Sequence, residues 1–422
     1  MPDVTLQTDR AQGLDAGEVA RALEAWLGKL TPPPKRALLL PPDYTRVFSG
    51  VGGLTARCAA LLRSLGCQVD VMPALGTHAP MTPEEILEMF EGAFAQEDIL
   101  VHDWRKDVTK IGEVPADYVH EVSDGLLNLP VPVEVNRRLL DPAYDLILSI
   151  GQVVPHEVAG MANYSKNIFV GCGGYRMINA SHLLGAAWGV RRILGVENSP
   201  VRAVFDYAQE HFLRALPLAY LLTVSAPFGD VNRLRGLYLG CGRALFAQAA
   251  AQSARLNITQ VDKPARKIVA YMDEKEYKTV WVGNKAIYRT CMALAPGGEI
   301  LIIAPGVRRF GEDIENDALI RKYGYHGAAH TLALMREIPE LAANTSVVAH
   351  LMQGSADGAF DVTYATDGLT KAELSAVGYG HMPLAAAMGC YAPPGRADGY
   401  YRTADGEPYL SIAHPAAGLW TA

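Results

Sequence analysis

The stretch RALLLPPDYTRVFSGVGGLTARCAALLRSLGCQVDVMPA, residues 36–74, decides the fold class. RALLL has the length and apolar character of a buried strand, GLTARCAALLRSLG has the pattern of a helix, and CQVDVMPA reads as a second strand. The segment TPEEILEMFEG then predicts another helix, with Thr82 as its N-cap. Strands that alternate with helices in this way predict a mainly parallel sheet covered by helices.

The same alternation continues along the chain and predicts two α/β domains, which the length of 422 residues also favours. The first runs through the strand YDLILSIG and three helices to about residue 258, and a proline and charge cluster in ITQVDKPARKIVAYM marks a boundary near 261–264. The strands KIVAYMD, EILIIAPG and SVVAHLM, with helices between them, form the second domain. We therefore predict domains at 1–260 and 261–392, with an irregular segment 393–422 joining the first domain.

Composition excludes several classes of protein. Half of the residues are apolar and 20% are charged, which is typical of a globular protein. A net charge of -7 without a basic run argues against a nucleic-acid partner. The N-terminus does not resemble a signal peptide and no apolar run reaches about 18 residues, so we expect a cytoplasmic protein without a membrane partner. The 6 cysteines show no metal-ligand spacing and are expected to be reduced.

Candidate functional residues follow the first two strands. Ligands of open α/β sheets bind at the carboxyl ends of strands, and DYTR places Asp43, Thr45 and Arg46 there, before the glycine-rich helix start GVGGL. An arginine at this place can hold a carboxylate or phosphate together with helix N–H groups, although an Asx-turn and a surface arginine also explain the motif. His78, in LGTHAP, is either a general acid or base or an ordinary loop histidine.

A third loop, VVPHEVAGMANYSKNIFVGCGGYRMINASH at residues 153–182, follows the strand YDLILSIG. Its His156, Lys166 and His182 could serve as a metal ligand, a covalent attachment point and an acid or base, in some order. Taken singly, a core histidine, a solvated lysine and a histidine near a helix N-terminus explain them as well. These ordinary roles do not explain why all the candidates fall in loops at one edge of the predicted sheet.

One further pair of histidines has metal-ligand spacing. His326 and His330 in YGYHGAAH stand four residues apart and could share a helix face. Neither a glutamate nor a third ligand accompanies them, so a structural role is the simpler interpretation.

Four motifs in order resemble the lactate racemase family, whose members use a nickel-pincer nucleotide. They are DYTR, ALGTH followed by PMTPEE, PHEVAG, and a lysine ten residues beyond His156 with a histidine sixteen residues beyond that lysine. The resemblance covers nearly the whole chain, and four ordered motifs are far more specific than any one of them. It implies a larger α/β domain that holds the cofactor, a smaller one that closes over the substrate, and an active site in the cleft between them.

The resemblance also implies a cofactor and a role for each candidate residue. The cofactor would be a pyridinium-3-thioamide-5-thiocarboxylic acid mononucleotide with nickel, supplied by cofactor-synthesis enzymes. Lys166 would be joined to it through a thioamide, His182 would ligate the nickel, and His78 and His156 would be the paired acid and base. The other implied contacts are Asp43, Thr45 and Arg46 with the cofactor, and Arg46, Lys285 and Trp281 with the substrate.

The implied activity is that of an isomerase, a racemase or epimerase that inverts C2 of a 2-hydroxy acid. Proton-coupled hydride transfer to and from the cofactor would pass through a 2-keto acid, with His78 and His156 exchanging roles with direction. Lactate-active members tend to carry a polar contact near the position of Val282, and Trp281 adds an aromatic wall. We therefore expect a substrate other than lactate. It would be either a 2-hydroxy acid with a larger apolar side chain or a sugar acid.

Without the resemblance, other functions fit the same residues. Lys166 could hold pyridoxal phosphate as a Schiff base. His78, His156 and His182 could bind zinc in a hydrolase. A carrier that stores the cofactor without catalysis is the non-enzymatic alternative, and the paired histidines argue against it because storage needs no acid or base.

Overall fold

The computed structural model describes residues 3–228, 231–274, 276–392, 395–415 and 418–422. It divides into two compact units, the first formed by Met1–Ser181 and Leu194–Asn257 and the second by His182–Ile193 and Ile258–Ala422. Both are parallel-rich sheets flanked by helices, which confirms the predicted fold class. Within the described ranges, no helix combines the length and the apolar character that crossing a bilayer requires.

The first unit contains ten strands and most of the first eight helices. The strands are β1 (Val4–Gln7), β2 (Arg36–Leu40), β3 (Gln68–Val71), β4 (Val108–Val114), β5 (Val131–Asn136), β6 (Leu146–Gln152), β7 (Pro155–His156), β8 (Gly160–Met161), β9 (Leu218–Phe228) and β10 (Val231–Gly240). The helices are α1 (Ala16–Leu27), α2 (Val51–Ser64), α3 (Pro83–Met89), α4 (Ala116–Val122), α5 (Tyr175–Trp188), α6 (Val190–Ile193), α7 (Pro200–Phe212) and α8 (Arg243–Asn257). Helix α5 runs across the division, and α6 is counted with the second unit.

The second unit continues the numbering. Its strands are β11 (Thr259–Gln260), β12 (Ala265–Tyr271), β13 (Leu294–Ile303), β14 (Phe360–Ala365), β15 (Gly380–Met382), β16 (Gly399–Arg402), β17 (Pro408–Ile412) and β18 (Trp420–Thr421). Its helices are α9 (Val280–Gly283), α10 (Lys285–Thr290), α11 (Ile314–Tyr323), α12 (Ala328–Glu337), α13 (Pro339–Ala343), α14 (Thr345–Gly354), α15 (Lys371–Ala376) and α16 (Leu384–Tyr391).

The main sheet of the first unit has the strand order β1-β10-β9-β6-β2-β3. Strands β3, β2, β6 and β9 are parallel, and β10 and β1 add an antiparallel edge. Because β2 pairs with β3 on one side and with β6 on the other, the order of the strands reverses between β2 and β6. Such a reversal opens a crevice beyond the carboxyl ends of the two strands, where open α/β sheets bind their ligands.

Local sequence signals explain the elements beside this crevice. RALLL forms β2 as predicted, and residues 37–40 are fully buried because the strand is covered on both faces. Thr82 caps α3, with Glu85 completing a capping box, as the sequence predicted. The antiparallel hairpin of β9 and β10 was not predicted, since the first nine residues of β9 are all buried and show no alternation.

The C-terminal segment departs from the sequence prediction. In the order β15-β14-β13-β12-β17-β16, its strands extend the sheet of the second unit, with Leu410 opposite Ile268, instead of joining the first. Leu410 and Ile412 enter one core while Tyr409 faces the other side of the sheet. The strand was not predicted because this alternation is short and lies in a sequence rich in glycine and proline. Pro393 and Pro394, at the start of the predicted segment, lie outside the described residues.

The predicted strand SVVAHLM is wrong, because these residues form helix α14. The side chain of Asn344 caps this helix by accepting from the backbone N–H of Val347. Residues 347–354 are buried on every side, so the run lacks the polar face that reveals a helix. A short apolar run cannot be assigned by periodicity alone; the next strand of the sheet after β13 is β14, which pairs with it in parallel.

The place of β17 in the second core gives a first prediction. Leu410→Ala should lower the free energy of unfolding by about 2–5 kcal/mol, because it leaves a cavity in the place of a side chain that is only 3% exposed. Urea denaturation measures this loss. Ala404→Ser, at an exposed position before the same strand, should change stability by less than about 0.5 kcal/mol. Equal stability of the two variants would contradict the assignment of β17 to the core.

Candidate active site

The three predicted loops meet at the crevice between β2 and β6. The side-chain amide of Asn167 donates to the backbone oxygen of Leu40, at 3.1 Å, and to the hydroxyl of Ser149, at 2.9 Å. It therefore ties the loop that carries Lys166 to the end of β2 and to the middle of β6. The backbone N–H of Gly76 donates to the oxygen of Gly171 at 2.8 Å, which brings in the loop that carries His78.

Asp43 and His78 form a hydrogen-bonded pair at this crevice. His78 Nδ1 lies 2.5 Å from Asp43 Oδ2, and the Thr45 hydroxyl donates to Asp43 Oδ1 at 2.5 Å. Burial alone would raise the pKa of the Asp43 carboxyl, but the hydrogen bond and charge of His78, with the bonds from Thr45, lower it below its usual value. The His78 side chain is 58% exposed, so the pair joins a buried carboxylate to a ring that a small molecule can reach.

Nearby charged residues, among them Arg46 and Asp43 of the DYTR loop, act on the pKa of Lys166. Burial and the positive charge of Arg46 lower the pKa of its ammonium to about 8, while Glu157 and Asp43 act in the opposite direction. A substantial fraction of this amine is therefore neutral near pH 8. A neutral amine is the form that reacts as a nucleophile.

His156 is held by its own backbone. It ends β7 and pairs with Gly160 of β8, which closes a tight turn. Its Nδ1 accepts hydrogen bonds from the backbone N–H groups of Val158, at 3.1 Å, and Ala159, at 3.5 Å. The turn thereby fixes which nitrogen of the ring faces the backbone.

The residues before Lys166 adopt a backbone conformation that glycine favours. Asn163 and Tyr164 have φ of 64° and 56°, in the left-handed region, where a non-glycine residue costs about 1–3 kcal/mol. Packing offsets this cost, since the Tyr164 ring lies against Tyr220 and Phe246 with centroids 4.3 and 5.2 Å away. Asn163 also explains Gly151, where a Cβ would come within 1.7 Å of the Asn163 amide nitrogen.

Arg202 is a residue of this region that sequence reasoning missed. Its guanidinium is buried and donates to the backbone oxygens of Met161, at 2.7 Å, and Asn163, at 3.2 Å, and to the hydroxyl of Ser165, at 2.8 Å. Burial lowers its pKa only to about 10, so it stays charged at neutral pH. The one available signal was a charged residue next to the apolar positions of α7, which is too common to single it out.

The remaining predicted site residues are counted with the second unit. His182 is half-buried on α5, and Lys285 is the first residue of α10. Trp281, on α9, stacks on His350 with ring centroids 4.1 Å apart. His350 bonds to the hydroxyls of Tyr288 and Tyr325, and burial lowers its pKa to about 3, so its ring is neutral.

The less favoured alternative, a metal site at His326 and His330 on one helix face, does not fit the structure. Helix α12 begins at Ala328, after His326, so the two histidines do not share a helix face. Their rings meet edge to face with centroids 6.3 Å apart. Nowhere in the described part of the chain are three His, Cys, Asp or Glu residues grouped as metal ligands.

Comparison with known proteins connects the crevice with a family. Residues 15–190, which include β2, β3, β6 and all three loops, match the family described as the lactate racemase N-terminal domain. The chain carries a lactate racemase N-terminal domain. The resemblance found in the sequence motifs is thereby confirmed. A search of curated proteins gives no match to this sequence.

Two solved structures share the fold of this chain over nearly its whole length. A crystal structure of a Thermotoga maritima protein is 24% identical, with a TM-score of 0.79, and the match covers 98% of this chain and 99% of that one. The lactate racemase apoprotein from Thermoanaerobacterium thermosaccharolyticum is 16% identical, with a TM-score of 0.67, over 97% and 90% of the two chains. The match to the lactate racemase N-terminal domain supports an isomerase of the racemase or epimerase type, and the two solved structures show the fold.

Arg202→Met tests whether the hydrogen bonds of Arg202 stabilise the loop at residues 161–165. It removes the donors to two buried backbone oxygens, and each unsatisfied group costs roughly 1–3 kcal/mol, so the free energy of unfolding should fall by about 3 kcal/mol. Hydrogen exchange of residues 161–165 should also become faster. Arg214→Met, at an exposed position just after α7, is the matched control and should leave both unchanged. Similar losses in both variants would rule out a specific clamp.

The effect of Arg46 on the pKa of Lys166 can be measured by amine labelling. In the wild type, acylation of Lys166 should reach half its maximal rate near pH 8. Arg46→Gln removes a positive charge that disfavours the ammonium, so the midpoint should move to higher pH. Mass spectrometry of labelled peptides gives the midpoint, and exposed Lys371 serves as the internal control with an unchanged profile. An unshifted midpoint for Lys166 would show that Arg46 does not act on it.

Proposed function

We propose that this protein inverts C2 of a 2-hydroxy acid with a nickel-pincer nucleotide as cofactor. The observation that carries the proposal is the pair Asp43 and His78 beside Lys166, at the switch point of a sheet that matches the lactate racemase N-terminal domain. The pair supplies an oriented proton acceptor and Lys166 supplies a reactive amine. Both lie in the crevice where sheets of this type bind ligands.

The residues of the crevice fit such a cofactor chemically. A thioamide link to Lys166 requires a neutral amine, and the lowered pKa of about 8 provides one under mild conditions. An imidazole such as that of His182 suits Ni(II) as a ligand. The chemistry that the cofactor supplies when bound is the acceptance and return of the hydride at C2.

Residues of the first unit are proposed to transfer the proton and to bind the substrate and the cofactor. Asp43 accepts the Nδ1–H of His78, so the Nε2 lone pair of this ring is oriented to take the hydroxyl proton of the substrate. The buried carboxylate then stabilises the imidazolium that forms. His156 is proposed as the second member of the acid and base pair. Arg46 is proposed to hold the substrate carboxylate, with Asp43 and Thr45 also contacting the cofactor.

The second-unit residues are proposed to set affinity and specificity. Lys285, at the start of α10, is proposed as the second carboxylate contact. Trp281 stacks on His350 and presents an aromatic surface, while Val282 replaces the polar contact expected of lactate-active members. We therefore propose a 2-hydroxy acid with a side chain larger than methyl, either apolar or that of a sugar acid. Enzymes that make the cofactor would be needed for maturation.

The other candidate functions gain no support. A zinc hydrolase built on His78, His156 and His182 has no counterpart in the match to the lactate racemase N-terminal domain. A cofactor carrier would not need the oriented pair of Asp43 and His78.

The test is the intact mass and nickel content of protein produced together with the cofactor-synthesis enzymes. Wild type should gain mass and bind nickel. Lys166→Ala should lose the added mass, whereas Lys285→Ala should keep both, because it is proposed to touch only the substrate. His182→Ala should keep the added mass and lose nickel. Exchange of the Cα hydrogen across a panel of 2-hydroxy acids then identifies the substrate.

Each outcome decides one part of the proposal. Nickel without added mass would overturn the covalent link through Lys166 but keep the nickel cofactor. Neither mass nor nickel, with the cofactor shown to be present in the cells, would overturn the whole proposal.

A further inference from the structure

The indole of Trp281 lies on a buried histidine of the second unit. Its ring stacks on that of His350, with centroids 4.1 Å apart and planes inclined by 18°. His350 belongs to helix α14 and is only 4% exposed, whereas Trp281 is half-buried. One part of the indole is therefore covered by a ring of the core, and another part is accessible to a small molecule.

Hydrogen bonds fix the His350 ring within its own plane. The Tyr288 hydroxyl lies 3.2 Å from Nδ1, and the Tyr325 hydroxyl lies 2.9 Å from Nε2. Burial lowers the pKa of His350 to about 3, so the ring is neutral and one nitrogen donates while the other accepts. Rotation of the ring would break both bonds. Stacking alone would let the two rings slide past each other, since several offset arrangements are favourable.

The partners of His350 are held in their turn. Tyr288 lies on α10, and the ring of Tyr325 stacks on that of Tyr379 with centroids 4.5 Å apart. The Tyr379 hydroxyl donates to the backbone oxygen of Gly354 at 2.8 Å. Gly354 ends α14, the helix that carries His350. These contacts form a closed set around the His350 ring, and all of them lie within the second unit.

The stack decides the orientation of the Trp281 side chain. Its backbone is fixed separately, because the N–H of Trp281 donates to the oxygen of Phe310 at 2.8 Å. The torsions of the side chain remain, and the contact with His350 restricts them. Since both nitrogens of His350 are engaged by tyrosine hydroxyls, its own ring does not serve as an acid or base for a substrate.

We infer that His350 is a positioning residue for substrate specificity: it sets the orientation of the Trp281 indole, and the indole receives the substrate side chain. The second step rests on the proposed function, in which Trp281 is a substrate contact. The first step rests only on contacts within this chain. An indole that is already oriented loses little conformational freedom when a side chain packs on it. Because the gain grows with the apolar area that is covered, His350 favours side chains larger than the methyl group of lactate.

Fluorine NMR of the full chain, with its 5 tryptophans replaced by fluorotryptophan, tests the first step. Trp281→Phe identifies the Trp281 signal by its absence. His350→Ala should move that signal towards the position of free fluorotryptophan, because the stacked ring is removed. The signal of Trp420, in the same core, should stay in place if the unit remains folded. A Trp281 signal that does not move would overturn the inference.

His381→Ala is the matched control. It removes another half-buried histidine of the second unit, on β15, which bonds to the backbone oxygen of Thr366. The Trp281 signal should keep its wild-type position in this variant. An equal displacement by His381→Ala and His350→Ala would overturn a specific role of His350.

His350→Phe separates the stack from the hydrogen bonds. Phenylalanine keeps an aromatic face for the indole but cannot bond to either tyrosine hydroxyl. The Trp281 signal should lie nearer its wild-type position than in His350→Ala and should be broader, because the supporting ring is free to rotate. This variant fills the core better than alanine, so it keeps the test decisive if His350→Ala unfolds. A signal with the wild-type position and width would show that the hydrogen bonds of His350 do not set the indole.

Turnover by cofactor-loaded protein tests the second step. The measurement compares kcat/KM for the preferred 2-hydroxy acid with kcat/KM for the smallest one that is turned over. In His350→Ala this preference should fall roughly two- to tenfold, which corresponds to the contribution of one aromatic pair. The loss should appear as a higher KM with kcat little changed. His350→Phe should recover most of the preference, and His381→Ala should retain it.

The two measurements distinguish the two steps. An unchanged preference together with a displaced Trp281 signal would overturn the specificity role. Absence of turnover in nickel-loaded wild type would overturn the proposed function and the specificity role with it. The fluorine result would still decide whether His350 orients the indole, because that measurement needs neither cofactor nor substrate.

Discussion

The candidate active site depends on one buried amide. Asn167 bonds at once to the end of β2, through the backbone oxygen of Leu40, and to β6, through the hydroxyl of Ser149. These are the two strands between which the strand order reverses, so the bond fastens a long irregular loop across the point where the sheet opens. Lys166, the adjacent residue, owes its place beside the other strand-end loops to this contact. Without it the loop would have to satisfy buried polar groups in some other way.

The loop also stores strain that its surroundings must hold. The left-handed backbone of Asn163 and Tyr164 persists because the tyrosine ring packs against two aromatic rings and Arg202 binds the carbonyl oxygens of Met161 and Asn163. Glycine would adopt this backbone without strain. This chain reaches it with large side chains, so the shape of the loop depends on distant partners.

Charge organises the crevice as strongly as shape does. Burial and then the charge of Arg46 lower the pKa of Lys166, and His78 lowers that of Asp43 against the opposing effect of burial, so an amine becomes more readily neutral while a buried carboxyl stays ionised. Each effect needs the other loop to be in place. The pattern of one group pushed towards neutrality and another held charged is what acid and base chemistry near neutral pH requires.

The sequence by itself determined the α/β class, the strands RALLL and DLILSIG, and the loops that carry Asp43, His78, His156 and Lys166, because strand-length apolar runs and motif spacing are local properties. It also pointed to the family through four ordered motifs. It misassigned SVVAHLM and the C-terminal strands, since burial on all sides removes the periodicity that separates helix from strand. Only the tertiary structure decided that Arg202 binds the loop before Lys166 and that Asp43 pairs with His78, because hydrogen bonds between residues distant in sequence leave no signature in the order of the amino acids.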